Sequence, residues 1–307
     1  MFYEVEYPKA DPVRKHLRGL VVLTPAESRR LLAKATVACA EVRHAFKHGT
    51  IIIGRGVTTG FICEELFGIE ITSKANQTVG SVFHGLTNAN TGAPPCTWNV
   101  IRKGKVVEGA DSNVEILEFG PEDVFIKGAN AIDPEGHAGI FASNPGGGTI
   151  GMCWPILTTR GSHLLMPVGL EKMVPSVLEA SAHSGIYRFK YSTGLPVKVV
   201  PVVTGTVITE IQAFGILAGV EAYHLGSGGI GGSEGAVVLA LEGDKARMRT
   251  AFDLVKAIKG EPAMKAPDVP LIDSSVNYGY DALTQLARLD PVERWHEPED
   301  DGSEKEA

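Results

Sequence analysis

Cysteine is sparse in this 307-residue chain, and Cys39, Cys63, Cys96 and Cys153 lie far apart, with no C-x-x-C pair and no histidine at ligand spacing beside them. That excludes a disulfide framework and a zinc motif, and it points to a reducing, cytoplasmic setting. Long hydrophobic runs are missing too. No apolar stretch approaches the ~18 residues needed to cross a bilayer. The opening segment MFYEVEYPKADPVRKHLRG has no secretory apolar core, so no membrane partner is expected. Basic residues do not dominate: 29 Lys and Arg against 36 Asp and Glu give a net charge of −7, which argues against nucleic acid as a partner. Much of the acidity sits in the terminal HEPEDDGSEKEA, a composition not expected to fold. The glycine turn GRGVTTG, residues 54–60, also lacks the Lys-[Ser/Thr] ending of a nucleotide P-loop and the G-x-G-x-x-G spacing of dinucleotide-binding proteins. ATP and NAD are disfavoured, and no cofactor or metal is expected.

What is present is the composition of a globular α/β protein. A hydrophobic share of 44% with 21% charged residues supports a large core, and the length suits one large or two interlocked domains. TPAESRRLLAKATVACAEVRHAFKHG reads as one helix, with Thr24 as cap, Pro25 in the first turn, Glu27 as capping-box partner and Gly49 as the stop. Ile51 to Ile53 follow without polar alternation, as in a strand buried on both faces of a parallel sheet. Further strands are expected at TWNVIRKGKVV, VEILEF, DVFIKGA and HLLMPVG, and a helix at MVPSVLEASAHSG.

From about residue 195 the texture changes. PVKVVPVV, VEAYHLGSGG and GAVVLALEG read as strands and TEIQAFGILAG as a helix, while DKARMRTAFDLVKAIKG is an amphipathic helix with Met248, Phe252, Val255 and Ile258 on one face. This β-α-β-β-α order is most of a ferredoxin-like unit. The expected organisation is a Rossmann-like domain over residues 20–194, a ferredoxin-like domain over 195–262 with a sheet of its own, and a C-terminal extension over 263–307. A homo-oligomer is the expected assembly.

Ligands of open α/β sheets bind beyond the carboxyl ends of the strands, where helix N-termini present free amides. GRGVTTG occupies such an end. Gly54 and Gly56 allow a close backbone approach, Thr58 and Thr59 offer hydroxyls, and Arg55 supplies positive charge. A plain turn with threonine caps would use the same residues. A second turn, GANAIDPEG, brings Lys127, Asn130 and Asp133. A third, ASNPGGGTIG, brings Asn144 and the triple glycine Gly146, Gly147 and Gly148, whose successive amides suit an anion nest. The strand HLLMPVG then delivers Glu171 and Lys172 at its exit. The polar stretch VFHGLTNANTGAPPC adds His84, Asn88 and Asn90 as residues able to border a site.

In order and spacing, the G-x-G-x-T-T loop, the Gly-Ala-x-x-Ile-Asp-Pro turn, the glycine cluster and GLEKMV resemble ribose-5-phosphate isomerase type A. They also resemble the lactate-utilisation and CoA-transferase proteins of its superfamily. The resemblance covers roughly residues 25–260 and includes GLPVKVVPV, which is similar to the isomerase segment entering its ferredoxin-like domain. It implies a cleft for an anionic metabolite such as a sugar phosphate.

The departures remove the isomerase chemistry. Where that family has Asp-Gly-Ala-Asp-Glu, this chain has Lys127, Gly128, Ala129, Asn130 and Ala131. Asn144 and Pro145 replace a lysine, and no glutamate follows the glycine cluster in GGGTIGMCW. Ribose 5-phosphate isomerisation needs a positioned base and is not expected. Glu171 and Glu234 are the catalytic candidates that remain. Glu234 interrupts a glycine-rich stretch, and CoA-transferases carry CoA on a glutamate. Glu210 reads as a helix-start residue, His137 and His163 as ordinary histidines, and Cys153 as packed. Three functions follow from this reading: binding and conversion of a small anionic metabolite between the domains, CoA or acyl transfer, and ligand sensing without turnover.

Overall fold

The computed structural model describes residues 1–8, 16–71, 74–90, 99–189 and 192–267. Strand β1 (Leu17–Leu23) leads into α1 (Pro25–Ala38), α2 (Ala40–His48), β2 (Thr50–Ile53) and α3 (Val57–Phe67). Two hairpins come next: β3 (Gly80–Phe83) with β4 (Leu86–Ala89), and β5 (Val100–Arg102) with β6 (Lys105–Val106). The middle of the chain supplies α4 (Ser112–Glu115), β7 (Val124–Ile126), β8 (Ala131–Ile132), β9 (Ala138–Ala142), α5 (Gly148–Arg160), β10 (His163–Pro167) and α6 (Val177–Ala182). The last third supplies β11 (Lys198–Val202), β12 (Thr206–Ile208), α7 (Glu210–Ala218), β13 (Glu221–Ser227), β14 (Val237–Gly243) and α8 (Lys245–Ile258).

The protein is mixed α/β around a six-stranded sheet of order β12-β10-β7-β2-β5-β6. Its first four strands run parallel, and β5 and β6 are antiparallel additions. Both faces are buried, as the unbroken apolar run at Ile51–Ile53 requires. Ile51, Ile53, Val124, Ile126, Leu165 and Ile208 face one core, which includes Leu31, Leu32, Phe61 and Phe214 of α1, α3 and α7. Ile52, Phe125, Leu164, Met166 and Val207 face the other, with Ile150, Cys153 and Leu157 of α5. The alternation along each strand is the period-2 pleat. Among the described residues, no helix is long and apolar enough to cross a membrane.

Several expectations are corrected. The helix from Thr24 has its capping box, but it breaks at Cys39, whose backbone is extended at φ −60°, ψ 142°. The break lets α1 pack on α3 and α7 while α2 turns toward β2 and β5. VEILEF is helical rather than a strand: Asp111 caps α4 by accepting the Asn113 amide at 2.9 Å, and Ile116 and Phe119, three residues apart, are the buried pair. Helix α5 had no counterpart in the sequence reading.

The strands of 195–262 do not form a sheet of their own. Strand β11 pairs with β9 in a three-stranded sheet β11-β9-β8, and β12 joins the central sheet beside β10. Strands β13 and β14 complete their sheet with β1 from the other end of the chain. Val21 and Leu23 of β1 share the apolar face of Leu239 and Leu241, so the sequence-distant strand completes that face. Helix α8 buries the expected face, with Met248, Val255 and Ile258 inside and Phe252 packed at the margin. Of the 263–307 extension, including its acidic tail, residues 268–307 lie outside the described residues, as does Cys96.

Candidate functional site

The parallel strands end together, and each ladder continues one bond past its strand before the chains splay. Gly54 N donates to Ile126 O at 2.8 Å, Lys127 N to Leu165 O at 2.9 Å, and Val168 N to Ile208 O at 2.9 Å. Beyond β2 and β7 lies a cleft of about 270 Å³, walled by the end of β9 and the start of α5 on one side and by the β3–β4 hairpin on another. It gathers seven of the residues singled out from sequence: Arg55, Asn88, Lys127, Asn130, Asn144, Gly147 and Gly148. Among the described residues, no aspartate or glutamate lines it.

The start of α5 is built from glycine for steric reasons. Asn144 organises the turn, its Oδ1 accepting the Gly146 amide at 2.7 Å and its carbonyl accepting the Gly147 amide at 2.8 Å. Gly147 then takes a left-handed conformation, φ +78°, that costs a side-chain-bearing residue energy. The expected nest of three glycine amides is therefore corrected, since two of them are spent on Asn144. What lines the cleft instead is the uncapped first turn of α5, where no side chain caps the helix and the Gly148, Thr149 and Ile150 amides have no intrahelical partner. Such a terminus favours anions.

Asn88 adds a further donor. It is 3% exposed, lines the cleft from β4, and its Oδ1 accepts the Ala89 amide at 2.9 Å. Its buried Nδ2 has no acceptor, a state that costs on the order of 1–3 kcal/mol. Asn130 spends its Oδ1 on the Phe141 amide at 3.0 Å, holding β9 against the β7 turn.

The other residues singled out from sequence lie outside this lining. Gly54 packs beneath it, where a Cβ would come to 3.5 Å from Lys127 Cγ. Gly56 starts α3, Thr58 and Thr59 are buried in that helix, and Thr59 Oγ1 donates back to Gly56 O at 2.9 Å. Gly146 sits in the Asn144 turn. Asp133 holds a loop together, accepting the Val177 and His137 amides at 3.0 and 2.9 Å and facing the His137 ring at 3.1 Å. Burial pushes its carboxyl up, but these donors outweigh that and keep its pKa low. Asp133, Glu135 and His137 bring potential metal-ligand atoms within 4.8 Å of one another, and the loop bonds of Asp133 account for the grouping. Glu234 is exposed and accepts the amide of Gly232 in its own loop at 2.9 Å.

Glu171 and Lys172 belong to a second, buried concentration of charge, where the turn after β10 meets α1 and α7. Glu210 is fully buried there, accepting the Leu170 amide at 2.9 Å and the Ser28 hydroxyl. Burial and then the Glu171 charge raise its carboxyl to about 7. Glu171 Oε2 is buried without a partner. Lys172 Nζ donates to Ala129 O at 2.9 Å, and burial lowers its pKa against the opposing pull of Glu171 and Glu210.

Sequence reading named Asn88 without weighting it, and it missed the β9 wall and the Leu195–Val197 edge of the cleft. Those positions carry no turn or charge signal, and only the β11–β9 pairing brings them to the site. No family model matches this chain, nor does any curated protein or solved structure.

Proposed function

We propose that the cleft at the carboxyl ends of β2 and β7 binds a small anionic metabolite. The observation that carries this reading is the chemistry of the lining, which combines Arg55, Lys127, an uncapped helix start and the buried Asn88 amide with no carboxylate among the described lining residues. Donors and positively charged residues lining one cleft favour an acceptor-rich, negatively charged group. The volume of about 270 Å³ lies just under the range for drug-sized ligands and suits a metabolite of a few carbons. Loops at the carboxyl edge of parallel strands are also what the resemblance to the isomerase and CoA-transferase superfamily implies. The finer description as a Rossmann-like unit with a ferredoxin-like companion belongs to the same proposal, with that companion built from β1, α7, β13, β14 and α8 rather than from residues 195–262 alone.

The acyl-transfer alternative has less support, because Glu171 and Glu234 are both absent from the cleft lining. Sensing without turnover uses the same pocket and makes the same binding prediction. A thermal-shift screen of short carboxylates, sugar phosphates and their neutral analogues tests the reading. Anions are expected to raise the melting temperature and neutral analogues to leave it unchanged, and an equal response to both would reject the proposal. Ribose 5-phosphate is expected to undergo no isomerisation, since no carboxylate base is among the described lining residues.

A further inference from the structure

We infer that Lys127 is an imine-forming lysine, whose amine condenses with the carbonyl of a short anionic aldehyde or ketone held in the cleft. The inference rests on the anion-binding reading above.

The first support is a contrast with the other lysines that pack into the fold. Lys34 pairs with Glu65 at 3.0 Å, Lys74 with Glu64 at 2.7 Å and Lys259 with Glu27 at 2.8 Å. Lys172 donates to Ala129 O, and Lys198 donates to the carbonyls of Ser181 and Ser184. Each of these side chains has a structural employment. Lys127 lines the cleft, and no carboxylate or carbonyl engages its ammonium among the described residues.

The second support is position. Lys127 leaves β7 with its amide tied to Leu165 O at 2.9 Å, so its backbone is part of the central sheet. Gly54 lies against its stem, where a Cβ would make ordinary contact at 3.5 Å from Lys127 Cγ. Lys127 is thereby held by a rigid element in the lining of the same cleft as the start of α5 and Arg55. A bound anion is held at one end while its carbonyl carbon is presented to the amine.

Burial lowers the Lys127 pKa and outweighs the opposing effect of the neighbouring Cys153, whose own pKa is pushed up to about 11 by burial. Desolvated lysines of this kind are activated as nucleophiles. The reaction balances without an added redox partner: the amine nitrogen forms a bond to the carbonyl carbon, the carbon–oxygen bond breaks, and both amine hydrogens leave with that oxygen as water.

The test uses the full chain with pyruvate in one arm and dihydroxyacetone phosphate in the other, each with sodium cyanoborohydride, followed by intact-mass measurement and peptide mapping. The arm that labels identifies the anionic group as carboxylate or phosphate. One reduced adduct per chain is expected, located on Lys127, suppressed by excess lactate or glycerol 3-phosphate, and lost in Lys127→Arg. Mapping the adduct on the unmodified sequence keeps the test valid should that variant fail to fold. Labelling spread evenly over surface lysines overturns the inference. In that case a melting-temperature shift with lactate or glycerol 3-phosphate leaves the anion-binding reading standing, while no shift with any anion removes both.

Discussion

Glu210 opens α7 from a fully buried position, and its carboxyl is raised to about 7 by burial and by Glu171. The native state therefore holds a proton on it from the ordinary carboxyl value of 4.5 up to about 7, where the unfolded chain does not. Stability falls as pH rises through that window, and the cost is fully present above it. Glu210→Gln keeps an acceptor for the Leu170 amide and offers a donor to Ser28. Urea unfolding should show this variant gaining on the order of 2–3 kcal/mol on the parent between pH 5 and pH 8. A difference that does not change with pH would show that Glu210 is not the titrating group. The sequence placed Glu210 correctly at a helix start but could not show that three elements close over it. Lys127 illustrates the same limit. Its departure from the isomerase pattern is visible in sequence, whereas its missing partner is visible only when the neighbouring strands and helices are in place.

At the scale of elements, helix starts with side-chain caps were readable because they are local chemistry. Thr24 and Glu27 form the expected box, and Ser176 caps α6. The structure adds that Glu27 also accepts the Lys259 ammonium at 2.8 Å and the Gly260 amide at 3.0 Å, so one box joins the start of α1 to the end of α8. Helix α5 escaped notice because it opens on glycines and contains Pro155, both of which read as breakers. Its geometry makes a prediction of unusual sign. Replacing glycine by alanine inside a helix normally gains about 1 kcal/mol, but a Cβ on Gly151 would press into the carbonyl oxygen of Gly146. Gly151→Ala should therefore lose about 1–3 kcal/mol in urea unfolding and abolish the anion-dependent thermal shift. A stabilised variant with intact binding would show that the turn is not held as described.

At the scale of the whole molecule, the last third of the chain is interleaved with the rest. Strands β11, β12 and β14 find partners in β9, β10 and β1, three separate parts of the sequence. A fragment of residues 195–262 lacks those partners and would expose unpaired edges and the apolar face of α8. Circular dichroism of that fragment should show no cooperative thermal transition, while the full chain unfolds in a single one. A fragment that melts cooperatively would restore an independent second domain.

Local periodicity and turn chemistry were enough to establish the α/β class, the buried parallel strands at Ile51–Ile53 and Val124–Ile126, and the loops that approach the cleft. These depend on interactions within a few residues, which sequence records directly. Tertiary structure alone decided which strands pair, because antiparallel partners such as β1 and β14 are chosen by complementary faces more than 200 residues apart. It also decided that Lys127 and Asn88 share a cleft with no carboxylate among its described lining residues, while Glu210 is fully buried elsewhere with Glu171 half-buried beside it, since burial and missing partners are properties of packing that no single segment contains.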